Sequence, residues 1–372
     1  MSVQAAPTTV PFVDLRRQHD PLRAEIVEAF GRVLDANAFI LGEEVERFET
    51  AFAEYCGARH CVGVNSGTAG LSLMMLAAGI GPGDEVIVPA QTFIATALAV
   101  AHTGAMAVCA DVEPGTGLLD PAAAAAAIGP RTAAILPVHL YGQMCAMEPL
   151  RALAARHGLA LFEDAAQAQG AADQGVRAGA AGTAAAFSFY PSKNLAAIGD
   201  GGAIVTDDDG IAERARELRD LGRLGGPSHL VSGYNERLDG VQAAVLTIKL
   251  RELDAWNAAR RAHAADYARL LGGAVELLEE RDGAQCVYHL FPIRVEDREG
   301  LARRLAQDGI GTGVHYPLSL PEQPALPALH GADAPVARDW ARRELSLPMF
   351  AELRAGELER VAEAVAGAVG TL

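Results

Sequence analysis

Between residues 60 and 206, short and nearly unbroken apolar runs alternate with stretches whose apolar side chains return every three or four positions. The runs are Cys61 to Val64, Glu85 to Val88, Ala105 to Ala110, Ala133 to Val138, Leu159 to Glu163, Ala184 to Phe189 and Gly202 to Thr206. Runs this short, without polar alternation, predict strands buried on both faces. The helical stretches between them predict an α/β domain with a mostly parallel seven-stranded sheet. Ahead of it, Pro21 to Ala36 and Glu43 to Tyr55 predict amphipathic helices, the first with Leu22, Ile26, Phe30, Val33 and Leu34 on one stripe. The run Ala122 to Ala127 reads as an ordinary helix, alanine being the best helix former. After Asp239 the pattern changes to a long helical stretch reaching about Leu271. A strand near Val287 to Val295, a helix from Gly300 to Gln307 and terminal helices follow. This predicts a smaller C-terminal α+β domain, and we place the two domains at 1–245 and 246–372.

Charge and composition exclude several functions. A net charge of −16 argues against a nucleic-acid backbone or an anionic membrane as partner. No run approaches the roughly 18 apolar residues of a membrane span, and the first twenty residues lack a basic segment followed by an apolar one, so a cytoplasmic protein is expected. Five cysteines, at 56, 61, 109, 145 and 286, form no CxxC pair and read as reduced thiols. His139, His289 and His315 are far apart and read as packed or hydrogen-bonding histidines, not as a metal set. Only two lysines occur, Lys193 and Lys249, so surface charge is left to arginine. A lysine retained in such a chain is a candidate for chemistry that needs an amine, because an ε-amino group can lose its proton and form a Schiff base. Lys249 lies in a helical pattern with Val241, Val245 and Ile248, where its head is expected to reach water.

Four segments fall where strands of the first sheet end, the place where open α/β sheets bind ligands. Val64-Asn65-Ser66-Gly67-Thr68-Ala69 runs from a strand into a helix whose free N–H groups would hold a phosphate, with Ser66 and Thr68 adding hydroxyls. The same residues also suit a plain N-cap. Ala160 to Gln167 ends an apolar strand in Asp164. A pyridine ring draws electrons only while its nitrogen is protonated, and an adjacent aspartate keeps it so; a turn-capping role for Asp164 or Glu163 is the plainer alternative. Lys193 follows Ser188 and precedes Gly199-Asp200-Gly201-Gly202, a backbone that lets a bulky group approach. Phe93 could stack on a planar ring or pack in the core. Taken jointly, a phosphate cradle, a strand-end aspartate and a Schiff-base-competent amine describe a site for pyridoxal phosphate.

With NSGTAG (65–70), EDAAQ (163–167), FSFYPSKN (187–194), GDGGAIVT (199–206), GYNERLDGVQAA (233–244) and VHYP (314–317), the chain resembles the DegT/DnrJ/StrS family of sugar aminotransferases over nearly its whole length. The resemblance implies a pyridoxal-phosphate-dependent transferase of fold type I. By it Lys193 carries the cofactor and Asp164 partners the pyridinium. Gln167 lies on the ring-hydroxyl side, Phe93 stacks, and Gly67, Thr68 and Ser188 hold the phosphate. Asn235 reaches the cofactor phosphate of a neighbouring subunit, which implies a homodimer with shared active sites. The implied reaction moves an amino group from glutamate or glutamine to a keto group of a nucleotide-linked deoxysugar. Gln167, where many 4-keto enzymes carry histidine, favours a 3-keto-6-deoxyhexose; a 4-keto sugar or an inosose stays open as an alternative. Arg223 and Arg237 are candidates for the substrate diphosphate. The segment Leu195-Ala196-Ala197-Ile198 departs from the family, which commonly has a glycine there.

Overall fold

The structure, a computed structural model, describes residues 9–329 and 332–370; the reading of the N-terminus includes residues 1–8, which lie outside them. Seven strands form one sheet: β1 His60–Val64, β2 Glu85–Pro89, β3 Met106–Ala110, β4 Thr132–Ile135, β5 Ala160–Asp164, β6 Ala184–Ser188 and β7 Gly202–Thr206. Their spatial order is β1-β7-β6-β5-β4-β2-β3, and β7 alone runs against the rest. The unbroken apolar runs are explained by burial on both sides. Val62, Val64, Val86, Val88, Phe162 and Ile204 point into one apolar layer, and Cys61, Ile87, Leu161, Phe187 and Val205 into the other. Alternate side chains of a strand face opposite ways, so a sheet covered twice needs no polar position.

The expected helices are present as Arg23–Ala36 and Glu43–Cys56, the latter ended by left-handed Gly57. The alanine run is helical from Pro121 to Ala126. The long stretch after Asp239 divides in two, Gly240–Leu250 and Leu253–Leu271. The C-terminal part adds β8 Glu276–Leu277, β9 Phe291–Arg294 and β10 Glu344–Leu347, an antiparallel sheet in that order. Its apolar cluster joins Tyr267, Phe291, Ile293, Leu345 and Val361 with Val10 from the chain's start. The strand expected from Val287 begins only at Phe291 because Tyr288 takes a positive φ and the Val287 N–H bonds the Gly142 carbonyl instead of a neighbouring strand.

Lys249 corrects an expectation. Its head does not reach water: the residue is fully buried, and Nζ donates to the Ala196 carbonyl at 2.8 Å and to His19 Nε2 at 3.0 Å. The helix that carries it is covered on nearly every side, with Ala244, Val245 and Ile248 against Ile26, Ala29 and Val33, and Ala243 and Leu246 in the main core. No wet face is left for the ammonium. Burial brings its pKa down to about 8.

Candidate active site

The carboxyl ends of β1, β2, β5 and β6 deliver their following segments to one cavity of about 500 Å³. Ser66, Gly67, Thr68, Phe93, Asp164, Gln167, Ser188 and Lys193 all line it. Residues far apart in sequence therefore meet because parallel strands end on the same side of the sheet.

After β1, Ser66 caps the helix Gly67–Ala77 by accepting the Ala69 N–H at 3.1 Å. The plain capping role thus accounts for the Ser66 hydroxyl. It does not account for the N–H groups of Gly67 and Thr68, which have no acceptor among the described residues. Side chain is excluded at Gly67, where a Cβ would stand 2.7 Å from Ser188 Cβ. Two open N–H groups at a helix start, beside the Ser188 and Thr68 side chains, have the donor chemistry of a phosphate cradle.

After β5, Asp164 is nearly buried. Its Oδ2 accepts from Thr96 Oγ1 at 2.8 Å and its Oδ1 from the Ala166 N–H at 3.2 Å. Burial raises its pKa above the usual carboxylate value, against the pull of those two bonds and of Lys193. Glu163, one residue earlier, has a structural duty: it accepts three backbone N–H groups of Gly179, Ala181 and Gly182 and bonds His139 Nε2 at 2.9 Å. The neighbouring carboxylates are separated by strand alternation, one anchoring a loop and the other facing the cavity. Gln167 has both amide ends engaged, with Oε1 accepting from Tyr141 N at 2.7 Å and Nε2 donating to Tyr316 Oη at 3.1 Å.

After β6, the turn that carries Lys193 is held by its own N–H to the Tyr190 carbonyl at 2.8 Å and by the next side chain, Asn194, which donates to Asn257 Oδ1 and the Val287 carbonyl. The Lys193 amine has no hydrogen-bond partner among the described residues, and desolvation in the cavity wall brings its pKa down to about 8, while Asp164 pulls the other way. Phe93 is half exposed, with its ring 5.2 Å from that of Tyr316. An open aromatic face, a buried carboxylate, a near-neutral amine and a cradle for an anion fit pyridoxal phosphate in kind and in arrangement around one cavity.

Asn235 is exposed and outside the cavity of its own chain, paired to Asp220 through a backbone bridge. Arg223 and Arg237 both bond Asp220 Oδ1 at 2.9 Å. Sequence reasoning missed Thr96 and Tyr316 as cavity residues, and read His289 and His315 only as packed or hydrogen-bonding histidines. Thr96 had a signal, since two threonines four residues apart follow β2, Thr92 before the helix Ala95–His102 and Thr96 within its first turn, and they bond each other at 3.0 Å. The two histidines had none, because their spacing says nothing about which loops converge. Among the described residues no group of three or more His, Cys, Asp or Glu is placed to hold a metal, and no helix is long and apolar enough to cross a membrane.

Comparison with known proteins agrees with this architecture. The chain is 48% identical over 369 residues to dTDP-3-amino-3,4,6-trideoxy-alpha-D-glucose transaminase of Streptomyces venezuelae, covering 98% of this chain and 97% of that protein. It is 50% identical to the erythromycin biosynthesis sensory transduction protein EryC1 of Saccharopolyspora erythraea, covering 91% and 94%. The crystal structure of S. venezuelae DesV in complex with a ketimine intermediate superposes with a TM-score of 0.95 at 47% identity, covering 97% of this chain and 98% of that one. The model of the DegT/DnrJ/EryC1/StrS aminotransferase family matches residues 20–366, a span that includes every cavity segment described above, and the chain belongs to that family.

Proposed function

We propose that this protein uses pyridoxal 5'-phosphate, attached through Lys193, to transfer an amino group from glutamate or glutamine to the keto group of a nucleotide-linked deoxysugar, with a 3-keto-6-deoxyhexose preferred. The observation that carries the reading is the meeting of an unpartnered Lys193 amine and a buried Asp164 in one cavity that also holds the open N–H groups of Gly67 and Thr68. Several relatives of this chain are 3-amino-sugar transaminases, those from Streptomyces venezuelae and Aneurinibacillus thermoaerophilus among them, which supports the 3-keto preference.

The bound cofactor supplies an electron sink that stabilises negative charge on the carbon next to nitrogen. Asp164 would hold a proton at the pyridine nitrogen, its position secured by Thr96 and Ala166. Gly67, Thr68 and Ser188 would bind the phosphate, and Phe93 would lie against the ring. Lys193 would take up and return the proton at the substrate carbon that carries nitrogen, a duty served by an amine whose pKa is close to the working pH. Gln167, fixed by Tyr141 and Tyr316, would meet the ring-hydroxyl side. Asn235, exposed at the surface, would complete the cofactor phosphate site of a second subunit in a homodimer, and we place the enzyme in the cytoplasm. Incubation with an inosose and a panel of nucleotide 3-keto and 4-keto sugars, each with glutamate and read by product mass, tests the assignment. Amination of an inosose or of 4-keto sugars alone would overturn the substrate preference, and no amino transfer to any of them would overturn the function.

A further inference from the structure

His289 and His315 both line the cavity, and each turns Nδ1 toward a protein side chain. For His289 the partner is Asn194 Oδ1 at 3.2 Å. The Asn194 amide cannot turn over, because its Nδ2 donates to the Val287 carbonyl at 3.0 Å and a carbonyl only accepts. Oδ1 is therefore the acceptor, the His289 proton sits on Nδ1, and Nε2 is a lone pair. An amide does not ionise, so this tautomer is locked.

His315 differs because its partner is a hydroxyl with a carboxyl behind it. Ser346 Oγ lies 2.9 Å from His315 Nδ1 and also bonds Glu344 Oε1, while Glu344 Oε2 accepts the His315 backbone N–H at 2.6 Å. Glu344 is fully buried on β10, and paired backbone bonds between Gly313 and Ser346 hold the three groups in register. His315 Nε2 has no hydrogen-bond partner among the described residues.

The direction of every bond in this chain follows from one proton. With Glu344 ionised, both its oxygens accept, the Ser346 proton points to Glu344, and Ser346 Oγ must accept from Nδ1–H. Nε2 is then a lone pair. With Glu344 protonated, Oε2 still accepts the backbone N–H, so the acid proton sits on Oε1 and points to Ser346. The Ser346 proton turns to Nδ1, and the ring proton is on Nε2. A proton entering at Nε2 is matched by one passing from Nδ1 to Ser346 and one from Ser346 to Glu344, so a single proton is gained and the imidazole stays neutral.

We propose that Glu344 is a positioning residue that sets, through Ser346, which nitrogen of His315 carries the proton, and so whether the cavity meets a lone pair or an N–H at Nε2. A ligand hydroxyl can answer either form, whereas a keto oxygen can answer only the N–H. The groups that face this chain are Arg298 from the helix Arg298–Gln307, Arg294 opposite Glu344 on β9, the Tyr141 and Tyr316 hydroxyls, and, around His315, Lys193 and the neutral His289. Burial pushes Glu344 up to about 7, over the opposing bonds from Ser346 and His315 and the charge of Arg298. Burial and the Lys193 charge hold His315 down to about 4, so its ring does not charge where Glu344 changes state.

The test is ring ¹⁵N NMR of histidine-labelled, cofactor-loaded full-length protein, with His315 assigned by the signals lost in His315→Gln. In the wild type the pyrrole-type and imine-type nitrogens of His315 exchange places as pH falls through the neutral range, while those of His289 do not. Glu344→Gln presents an amide N–H to Ser346 and locks the Nε2–H form at every pH, and Ser346→Ala uncouples the ring from Glu344. Unchanged His289 signals establish that each variant is folded. A His315 tautomer indifferent to pH in the wild type, or the Nδ1–H form retained in Glu344→Gln, overturns the proposal. The measurement needs no turnover, so it stands or falls apart from the transamination reading.

Discussion

Replacing Asp164 with asparagine removes one charge from the cavity wall and lowers the pKa of Lys193. The fold accommodates the change: the Ala166 N–H keeps Oδ1 as acceptor, the new amide points Nδ2 at Thr96, and the Thr96 proton turns to Thr92 Oγ1, already 3.0 Å away. The sign follows from electrostatics, since Asp164 favours the charged amine and desolvation opposes it. Treated as a sphere, a cavity of about 500 Å³ is roughly 10 Å across. If the two charges sat on opposite walls of such a cavity, the widest separation it allows, they would attract by about 1.7 kcal/mol at an effective dielectric constant of ~20. That is a little over one pK unit. The Lys193 midpoint, about 8 in the wild type, should therefore fall to near 7.

The chain makes the assay clean, because ε-¹³C-lysine labelling yields two side-chain signals, from Lys193 and Lys249. Lys193→Arg assigns them, and Lys249, whose pKa Asp164 does not govern, is the internal control. The titration is run on cofactor-free protein. A Lys193 midpoint that stays put would mean that Asp164 is already neutral there, and one that rises would refute the electrostatic account. With cofactor restored, Asp164→Asn should slow the half-reaction with the amino donor. A change within about threefold, worth under ~1 kcal/mol of barrier, would remove Asp164 from the electron-sink role.

Borohydride reduction of the loaded protein should fix the cofactor to Lys193, and peptide mapping that found it on Lys249 would contradict the site. Lys249→Met should flatten the pH dependence of stability above neutrality: the unfolded chain keeps the Lys249 proton to about 10.4 while the native state releases it near 8, so wild-type stability rises by roughly 3 kcal/mol across that interval. Urea unfolding at both pH values checks this, and parallel curves for the two proteins would refute it. Mixing inactive Lys193→Ala with Asn235→Asp should restore about one quarter of wild-type activity, since half the dimers are mixed and each has one intact site; no recovery after verified subunit exchange would place Asn235 outside the neighbour's site.

The strands and the chain's two principal candidates were legible because their signals are local. A doubly covered strand must be apolar throughout, and Asp164 stands where such a strand stops. The supporting groups are not local. Thr96 reaches Asp164 from 68 residues away, and Tyr316 reaches Gln167 from 149. Which strand ends converge is decided by sheet order, and sheet order is not written in the spacing of apolar residues. The same limit hid Glu344 and Ser346. The sequence predicts terminal helices there, whereas Glu344–Leu347 is a strand, and only the pairing of Gly313 with Ser346 brings a carboxyl behind an imidazole.

Lys249 shows where the argument from composition reaches further than the argument from pattern. Its helix reads as one with a wet face, yet the amine is enclosed by one carbonyl and one imidazole nitrogen. An arginine at position 249 would bring five donors in a rigid fork to those two acceptors and could not shed its charge. A lysine offers a compact donor and a proton it can lose, and burial draws on that freedom. In a chain that uses arginine everywhere else, both retained lysines are thus amines in low-dielectric surroundings with pKa values near 8. Scarcity therefore identifies the kind of environment, and geometry identifies the role: the Lys249 amine is bonded to a carbonyl and an imidazole nitrogen, whereas the Lys193 amine faces a cavity it shares with a carboxylate and is left free to react.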